Sequence, residues 1–360
     1  MKILDKYLIK QFIQTIIFAL ITFFSLFLVI DLMENLDDFV DHNVPFDIII
    51  RYYGVFMPEI FRLMIPVSVL LACLFTVGRM STQNEVTAMK SSGISLYRYM
   101  VPFLVVGFLI SIFSIYFGGY LVPMANKDKE YLGQTYLKKG IEYSSDRILF
   151  QDSNTRIVSI NYYDVVASTA NKVTILDFNT NNKEQMVFRI DADKMLYDTL
   201  NKEWIVYNGV KRSFEEFNES FTPFTSMQLN DLNFTPEDVI KKQRKPAEMT
   251  LSELDDYAKE QLQAGNDPTR ILIEYNTKIS FAFASFIILL FALPISANRR
   301  KGGMAIQFGI SVMIAFIYLA VSKMSESFGK NGVLDPLITA WLPNMIFLVG
   351  GVINIMRAQK

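Results

Sequence analysis

The 360-residue chain is poor in the residues that build covalent, metal and nucleophilic sites, with one cysteine and one histidine. Cys73 alone excludes an internal disulfide, and its apolar surroundings predict a small buried side chain. His42 lies in an acidic loop and cannot form a metal site or a catalytic triad without several further groups. The patterns G-x-x-x-x-G-K-[ST], H-E-x-x-H and G-x-S-x-G are absent. We therefore expect no catalytic site and no metal, although a hydrolase that uses carboxylates alone stays open.

Charge is also scarce in six long stretches of the chain. Charged residues make up 20% of the sequence and apolar residues 51%, which is typical of membrane helices averaged with a soluble domain. A helix needs about 20 apolar residues to cross a bilayer. The six stretches are Phe12–Ile30, Leu63–Gly78 with a lead-in from Tyr53, Met100–Val122, Ile279–Ala297, Met304–Ser322 and Pro336–Met356. They predict six transmembrane helices, three on each side of a polar block at 126–275.

The distribution of basic residues predicts the orientation. They gather in four segments on one side of the predicted helices: Lys2, Lys6 and Lys10; Arg79, Lys90 and Arg98; Arg299, Arg300 and Lys301; Arg357 and Lys360. The first loop, 31–47, is acidic instead. By the positive-inside rule, both termini are expected in the cytoplasm and the polar block outside. Because Met1–Ile30 lacks a small-residue cleavage site, we expect no cleaved signal. The net charge of −1 indicates no binding to nucleic acid.

The polar block changes from a helical to a strand-like pattern. Short β-branched and aromatic runs occur at Arg147–Gln151, Arg156–Asn161, Lys172–Asn179, Glu184–Ile190 and Trp204–Tyr207. Alternation of Val173, Ile175 and Phe178 with polar neighbours predicts strands buried on one face, in an antiparallel sandwich or open barrel. After Pro246 the pattern is helical again, with Thr250 or Ser252 as cap of Leu251–Leu262 and a stop at Gly265 and Pro268.

Two polar features lie in or beside the membrane segments. Glu59 and Arg62 are three residues apart after Pro58, so they either form an ion pair that anchors the helix, or Arg62 holds an anionic head group. The loop Arg79–Tyr99 contains a helix-compatible part, Asn84–Lys90, followed by Ser91-Ser92-Gly93 as a stop signal. Spacing alone leaves open whether this loop is a plain connector or a helix that docks onto a cytoplasmic motor.

A resemblance to a known family covers both membrane halves. The run N-E-V-T-A-M-K-S-S-G-I-S at Asn84–Ser95 resembles the E-x-x-x-M-x-x-x-G signature of the lipopolysaccharide export permeases LptF/LptG. Further segments are similar to the same family: L-D-K-Y at Leu4–Tyr7, the frame of Pro58 and Pro66, P-M-A-N-K at Pro123–Lys127, A-L-P-I-S at Ala292–Ser296 and W-L-P-N at Trp341–Asn344. Each segment alone is weak evidence for the resemblance, but their combination is specific to this family. The L-D-K-Y opening is closer to LptG.

The resemblance implies a fold and a role. The fold is a membrane α-helical protein of six transmembrane helices in a 3+3 arrangement, with an inserted periplasmic all-β, jellyroll-like domain. The implied divisions are 1–125 with a coupling loop at 79–99, 126–248 for the β-domain, 249–275 for an amphipathic connector and 276–360 for the second half. The implied role is the permease of an ABC transporter that extracts lipopolysaccharide from the Gram-negative inner membrane.

The resemblance also implies partners and site residues. The partners are a cytoplasmic LptB-like ATPase dimer, a second LptF-like permease and a periplasmic bridge of LptC/LptA-like proteins. This chain would bind no cofactor, because ATP and Mg belong to the ATPase. The expected site residues are Glu85, Met89, Gly93 and Arg79 for ATPase coupling; Arg62, Glu59, Phe24 and Phe27 for lipid; and Leu28, Ile310, Ile314 and Ile317 for a lateral gate.

One position departs from the family pattern, and other functions stay open. Asp31 stands where LptG-type members often have a lysine, so phosphate contacts are not carried over to the top of the first helix. The apolar residues expected at the lipid site and the gate also have another interpretation, in which they pack against other helices or face the bilayer. A permease of another lipid or lipoprotein ABC system, or a scaffold that anchors a periplasmic β-domain, would share this topology.

Overall fold

A computed structural model describes residues 3–137, 148–164, 167–179, 185–198, 201–215, 218–229, 232–243, 246–263, 266–297 and 303–357. Several residues named above lie outside these ranges: Lys2, Arg147, Glu184, Gly265, Arg299, Arg300, Lys301 and Lys360. The chain forms two compact units. One comprises Met1–Leu132 with Pro246–Lys360, and the other comprises Gly133–Lys245.

The elements follow one another in chain order. They are α1 (Ile3–Glu34), α2 (Leu36–Asp41), α3 (Phe46–Thr82), α4 (Glu85–Ser91), α5 (Leu96–Tyr116), a π-helical turn (Phe117–Leu121), α6 (Val122–Tyr136), β1 (Ile148–Gln151), β2 (Arg156–Asp164), β3 (Thr169–Phe178), β4 (Met186–Asp198), β5 (Glu203–Glu215), β6 (Asn218–Leu229), α7 (Pro236–Gln243), a 3₁₀ turn (Pro246–Glu248), α8 (Leu251–Gln263), α9 (Thr269–Ala297), α10 (Gly303–Lys330) and α11 (Pro336–Arg357).

The helical unit contains the six predicted membrane helices. Its spans are Ile3–Glu34, Phe46–Thr82, Leu96–Gly133, Thr269–Pro294, Phe308–Lys330 and Pro336–Arg357, each long and apolar enough to cross a bilayer. Several extend past the predicted apolar stretches, because a hydrogen-bonded helix continues through the polar residues that end an apolar window. The prediction of six membrane helices in two halves is confirmed.

The core of the helical unit lies between α1, α3, α5 and α9. Phe12 and Cys73 are fully buried in it, as expected for Cys73. A Cβ atom added at Gly107 of α5 would overlap Leu289 Cδ1 of α9, so these two helices approach closely at a glycine. Small residues permit such close packing between membrane helices.

The β-unit contains one antiparallel sheet in which each described strand pairs with the next, in the order β1-β2-β3-β4-β5-β6. The prediction of an inserted all-β domain is confirmed, and the described strands form a single sheet rather than the two sheets of a sandwich. Few residues separate successive strands in the sequence, and Asp164 Oδ1, at the end of β2, accepts from the backbone N–H of Ala167 before β3. Such short connections favour pairing between neighbours in sequence.

Strand β6 was absent from the sequence prediction. Pro223 lies within it, paired with Val210 of β5, and proline has no backbone N–H to donate. This is compatible with the position of β6 at an edge of the sheet. The proline and the polar neighbours Asn218, Glu219 and Ser220 interrupt the alternation of apolar and polar residues that would predict a strand.

The inner face of the sheet is covered by residues of the same unit. Val173 and Ile175 are each 1% exposed, and Phe188 packs at the margin of their cluster. Phe234 and Val239, which follow the last strand, belong to this cluster. The segment is held by Trp204 Nε1, which donates to Phe234 O at 2.8 Å, and by Asn233 N, which donates to Asp152 Oδ1 at 2.7 Å. We call residues 232–243 the cover segment.

The segment after the β-unit follows the predicted helical pattern. The backbone N–H of Glu253 donates to Thr250 Oγ1 at 3.3 Å, and the backbone N–H of Thr250 donates to Glu253 Oε2 at 2.8 Å. This reciprocal pair is a capping box, so Thr250, not Ser252, caps α8. The β-unit begins after Leu132 and ends before Pro246, whereas the predicted β-domain spans 126–248. Helix α6 crosses the first boundary and continues to Tyr136.

Candidate functional site

The first polar site of the helical unit is built on the ion pair predicted within α3. Arg62 Nη2 lies 2.7 Å from Glu59 Oε1, and the two side chains are 24% and 19% exposed. Asn126 of α6 donates from Nδ2 to Glu59 Oε2 at 2.9 Å. Glu59 therefore holds both the guanidinium and the polypeptide that leads into the β-unit.

A second cation, Lys278 of α9, lies beside this pair. Its side chain is buried, at 5% exposed, and its Nζ donates to Ala247 O at 2.9 Å and Met249 O at 2.8 Å. These carbonyls belong to the turn by which the chain re-enters the helical unit. Lys278 thus joins a membrane helix to the exit of the β-unit through backbone contacts.

Both cations line one pocket between α3, the end of α5 and α9. The pocket is lined by Arg62, Ile65, Pro66, Ser114, Phe117, Gly118, Lys278, Phe281 and Ala282. Arg62 Nε and Ser114 Oγ are buried and have no hydrogen-bond partner within the described part of the chain. The π-helical turn forms one wall, and a Cβ atom at Gly118 would lie 3.3 Å from Arg62 Cδ. Glycine therefore leaves the space that Arg62 occupies.

The charge and hydrogen-bonding groups of this pocket suit an anion. Two cationic side chains reach it, and none of its described lining residues is acidic. A guanidinium and an ammonium both bind phosphate oxygens, and the guanidinium does so in a planar, bidentate way. Phe281 stacks near the guanidinium, with its ring centroid 5.9 Å from Arg62 Cζ. Apart from the two cations and Ser114, the described lining residues are apolar.

The predicted apolar residues are dispersed. Phe24 packs on Phe61 of α3, with ring centroids 5.4 Å apart, and Phe27 is 38% exposed. Ile317 is exposed on α10, and Ile310 packs at the margin of the helical core. Ile314 is buried in that core. The lateral gate formed by Leu28, Ile310, Ile314 and Ile317 stays a prediction.

The second polar site is the loop between α3 and α5. Helix α4 begins at Glu85, directly after Asn84, which has φ of 60°. Gly93 N donates to Lys90 O and Ile94 N donates to Met89 O, with Gly93 at φ of 80°. These two bonds form a Schellman motif, which requires the left-handed conformation that glycine tolerates. The predicted short helix and its glycine stop are confirmed.

The predicted coupling residues of this loop divide into two kinds. Met89 packs against the helical core, next to the buried Val86, and Gly93 ends the helix, so both shape the loop. Arg79 is exposed at the end of α3, and Glu85 is half-buried at the start of α4. The exposed face of α4 carries Thr87, Ala88, Lys90 and Ser91.

The start of α1 contacts both ends of this loop. Tyr7 OH donates to Glu85, at 3.2 Å from Oε2 and 3.3 Å from Oε1. Arg98 Nη2 donates to both carboxylate oxygens of Asp5, at 2.7 and 2.8 Å. The loop is therefore tied to the N-terminal helix before α4 and after it.

Sequence reasoning missed several residues of both sites. Lys278 lies one residue before a predicted apolar stretch, and a lone lysine at that edge was the available signal. Asp5 and Tyr7 belong to the L-D-K-Y segment, whose only signal in the sequence is its resemblance to the family. Asn126 belongs to P-M-A-N-K in the same way. Their partners lie far along the chain, as with Tyr7 and Glu85, which are 78 residues apart.

The helices, the inserted sheet and the two polar sites define a multi-pass membrane protein of the permease class. Over residues 6–357 the chain matches the family model "Lipopolysaccharide export system permease LptF/LptG", and it belongs to that family. It is thus a transmembrane subunit of a lipopolysaccharide export system.

Relatives of both family names match nearly the whole chain. The Escherichia coli K12 protein LptF is 21% identical over 356 residues, covering 96% of this chain and 92% of the relative. LptG of Haemophilus influenzae is 18% identical, covering 96% of each chain. LptG of Escherichia coli K12 is 19% identical, covering 99% of this chain and 98% of the relative. At such identities the expected closeness to LptG is not decided.

Proposed function

We propose that this chain is the permease of an ABC transporter that extracts lipopolysaccharide from the inner membrane of a Gram-negative bacterium and delivers it to a periplasmic bridge. The observation that carries the proposal is the separation of its two polar sites. Twenty residues of α3 separate Arg62 from Thr82, about 30 Å at 1.5 Å per residue. The cationic pocket and the α4 loop therefore lie about one membrane thickness apart.

This separation supports an orientation. The α4 loop and the start of α1 contact each other, so the N-terminus and the loop lie on one side of the membrane. The basic residues Lys6, Lys10, Arg79 and Lys90 belong to that side, which favours the cytoplasm. The cationic pocket then lies towards the outer leaflet, and the β-unit is periplasmic.

An ATPase partner accounts for the energy source. The chain has no nucleotide-binding pattern, so ATP and Mg would be bound by a cytoplasmic ATPase dimer. The exposed face of α4 and the carboxylate of Glu85 offer it a small polar surface. A second, LptF-like permease would complete the membrane part, and a change of affinity between two states of this pair would move the lipid.

The β-unit would receive the lipid and pass it on. Among the described strands, β1 and β6 are the edges of the sheet, and an edge strand can extend into a neighbouring β-domain by backbone pairing. Its apolar inner face would hold acyl chains during transfer. Since the cover segment occupies that face, transfer would require the segment to move.

A charge reversal at Glu85 tests the coupling part of the proposal. In cells and in the complex reconstituted with its ATPase, Glu85→Lys should lower lipid export at least about tenfold, because a charge pair at an interface would become a repulsion. The permease should still insert in the membrane. Asp37→Lys, the same change at an exposed residue of α2, is the matched control. Normal export and normal ATPase stimulation by the Glu85 variant would refute the coupling role.

Two substitutions separate lipid binding from a structural ion pair. With photoreactive lipopolysaccharide, Arg62→Gln should lower crosslinking to this site about tenfold, the loss expected for one charge-assisted hydrogen bond. Glu59→Gln should preserve or increase crosslinking, because it releases the guanidinium. Lys323→Gln, at an ion pair on the exposed side of α10, controls for the loss of a cation. Equal instability of both variants with unchanged crosslinking would favour the purely structural ion pair.

A further inference from the structure

Helix α4 is too short to hold its own position. Its seven residues, Glu85–Ser91, make two turns, and an isolated helix of that length is unstable in water. Its apolar support comes from Val86 and Met89. These contacts fix one face of the helix against the core, but they leave the direction of the Glu85 carboxylate to its polar partner.

That partner is the hydroxyl group of Tyr7. A carboxylate offers about four acceptor sites, and the tyrosine hydrogen occupies one of them. Glu85 can therefore accept from Tyr7 and from a basic group of a protein partner at the same time. The hydrogen bond orients the Glu85 carboxylate and leaves acceptor sites on it for the protein partner.

The second contact fixes the other end of the loop. Asp5 is 12% exposed, and both of its oxygens lie within hydrogen-bonding distance of Arg98 Nη2, at the start of α5. Asp5 and Tyr7 are two positions apart on α1 and so project about 200° apart around the helix axis. One helix turn thereby holds two separate points of the chain, one on each side of α4.

We propose that Asp5 and Tyr7 are positioning residues for energy coupling, forming with Arg98 and Glu85 an N-terminal clamp on the α4 loop. The inference rests on the proposed coupling role of α4. The clamp ties the loop to α1, so a displacement of α4 by the ATPase is transmitted to the first membrane helix as well as to α3 and α5. Loss of the clamp would let α4 move without moving α1.

The test measures lipid released per ATP hydrolysed by the reconstituted complex. Tyr7→Phe removes only the hydroxyl group, and it should lower this ratio about three- to tenfold, as expected for loss of one intramolecular hydrogen bond. Tyr97→Phe, at an exposed tyrosine near the same loop, is the matched control and should leave the ratio unchanged. The amount of permease should be equal in the wild type and both variants, and Tyr7→Phe should lower the stability to thermal unfolding by no more than the loss of one hydrogen bond.

A charge swap tests the Asp5–Arg98 contact. Asp5→Arg and Arg98→Asp should each lower the ratio, and the double variant should restore it at least in part. A double variant as defective as the singles would overturn the clamp. So would a defect that follows reduced permease abundance or stability, because that result assigns the contacts to folding alone.

The outcome also separates this inference from the proposed function. If Glu85→Lys is inactive and Tyr7→Phe is fully coupled, the clamp is wrong and the coupling helix stands. If Glu85→Lys is itself fully coupled, the coupling assignment fails and the clamp fails with it.

Discussion

At the residue scale, the effect of replacing a glycine of a membrane helix by alanine depends on the space around it. Alanine normally favours a helix over glycine by about 0.5–1 kcal/mol. At Gly309 of α10 an added Cβ atom meets nothing within 4 Å, whereas at Gly107 it would overlap the fully buried Leu289. The same substitution therefore has opposite expected signs at these two positions.

We accordingly expect Gly309→Ala to stabilise the protein slightly. Gly107→Ala should destabilise it by about 1–3 kcal/mol, the usual cost of overpacking. Thermal unfolding of the detergent-purified permease measures both. Equal effects of the two substitutions would show that α5 and α9 do not depend on the glycine contact.

Lys278 is the second residue-scale case. Lys278→Met preserves most of the apolar length of the side chain and removes the donor, so the carbonyls of Ala247 and Met249 lose their partner. We expect a loss of about 1–3 kcal/mol, the cost of leaving a buried polar group unsatisfied. The exposed lysine variant Lys323→Met should change unfolding little. If both variants unfold alike, water or other groups satisfy these carbonyls.

The limits of sequence reasoning are visible in the same residues. The apolar stretches predicted the membrane helices because bilayer thickness fixes the length of an apolar run. Charged residues kept the apolar stretches from giving the true ends of the helices. Helix α3 begins at Phe46, but Arg51, Glu59 and Arg62 interrupt its apolar run before Leu63. The Glu59–Arg62 pair followed from helical spacing. The contacts of Tyr7 and Lys278 could not be predicted, since they join elements whose packing a single sequence does not specify.

At the scale of elements, the cover segment bears on the proposed transfer of lipid to the β-unit. Phe234 stacks on Trp204 with ring centroids 5.2 Å apart, and Val239 is fully buried. These contacts are apolar, like those of an acyl chain. If the β-unit receives lipid as proposed, the segment and an acyl chain would compete for the same surface.

Phe234→Ala should weaken the cover and increase crosslinking of lipopolysaccharide to a photoreactive residue placed at Ile175. The expected increase is at least tenfold, because deletion of a buried aromatic ring costs about 3–5 kcal/mol of packing and each 1.4 kcal/mol is a factor of ten. Phe221→Ala, at a phenylalanine 57% exposed on β6, is the matched control. If crosslinking at Ile175 falls or stays constant while the sheet remains folded, the inner face is an ordinary core.

At the scale of the whole molecule, the two units can be tested separately. Each has its own hydrophobic core, so removing one should leave the packing of the other. Replacing residues 133–245 with a short flexible linker should preserve assembly with the ATPase and abolish transfer of lipid to the periplasmic carrier. The same linker inserted at Gly332, in the turn between α10 and α11, controls for added flexible chain. Transfer at the normal rate by the deleted protein would show that the β-unit is dispensable.

The π-helical turn sets the direction in which α6 faces. Val122 N donates to Phe117 O, which spans five residues instead of the four of an α-helix. The turn therefore accommodates one residue more than an α-helical turn does. If 117–121 became α-helical with no residue removed, α6 would rotate by about 100° relative to α5, and Asn126 would face away from Glu59. Deleting one residue from 117–121 would instead remove the extra residue and leave Asn126 facing Glu59.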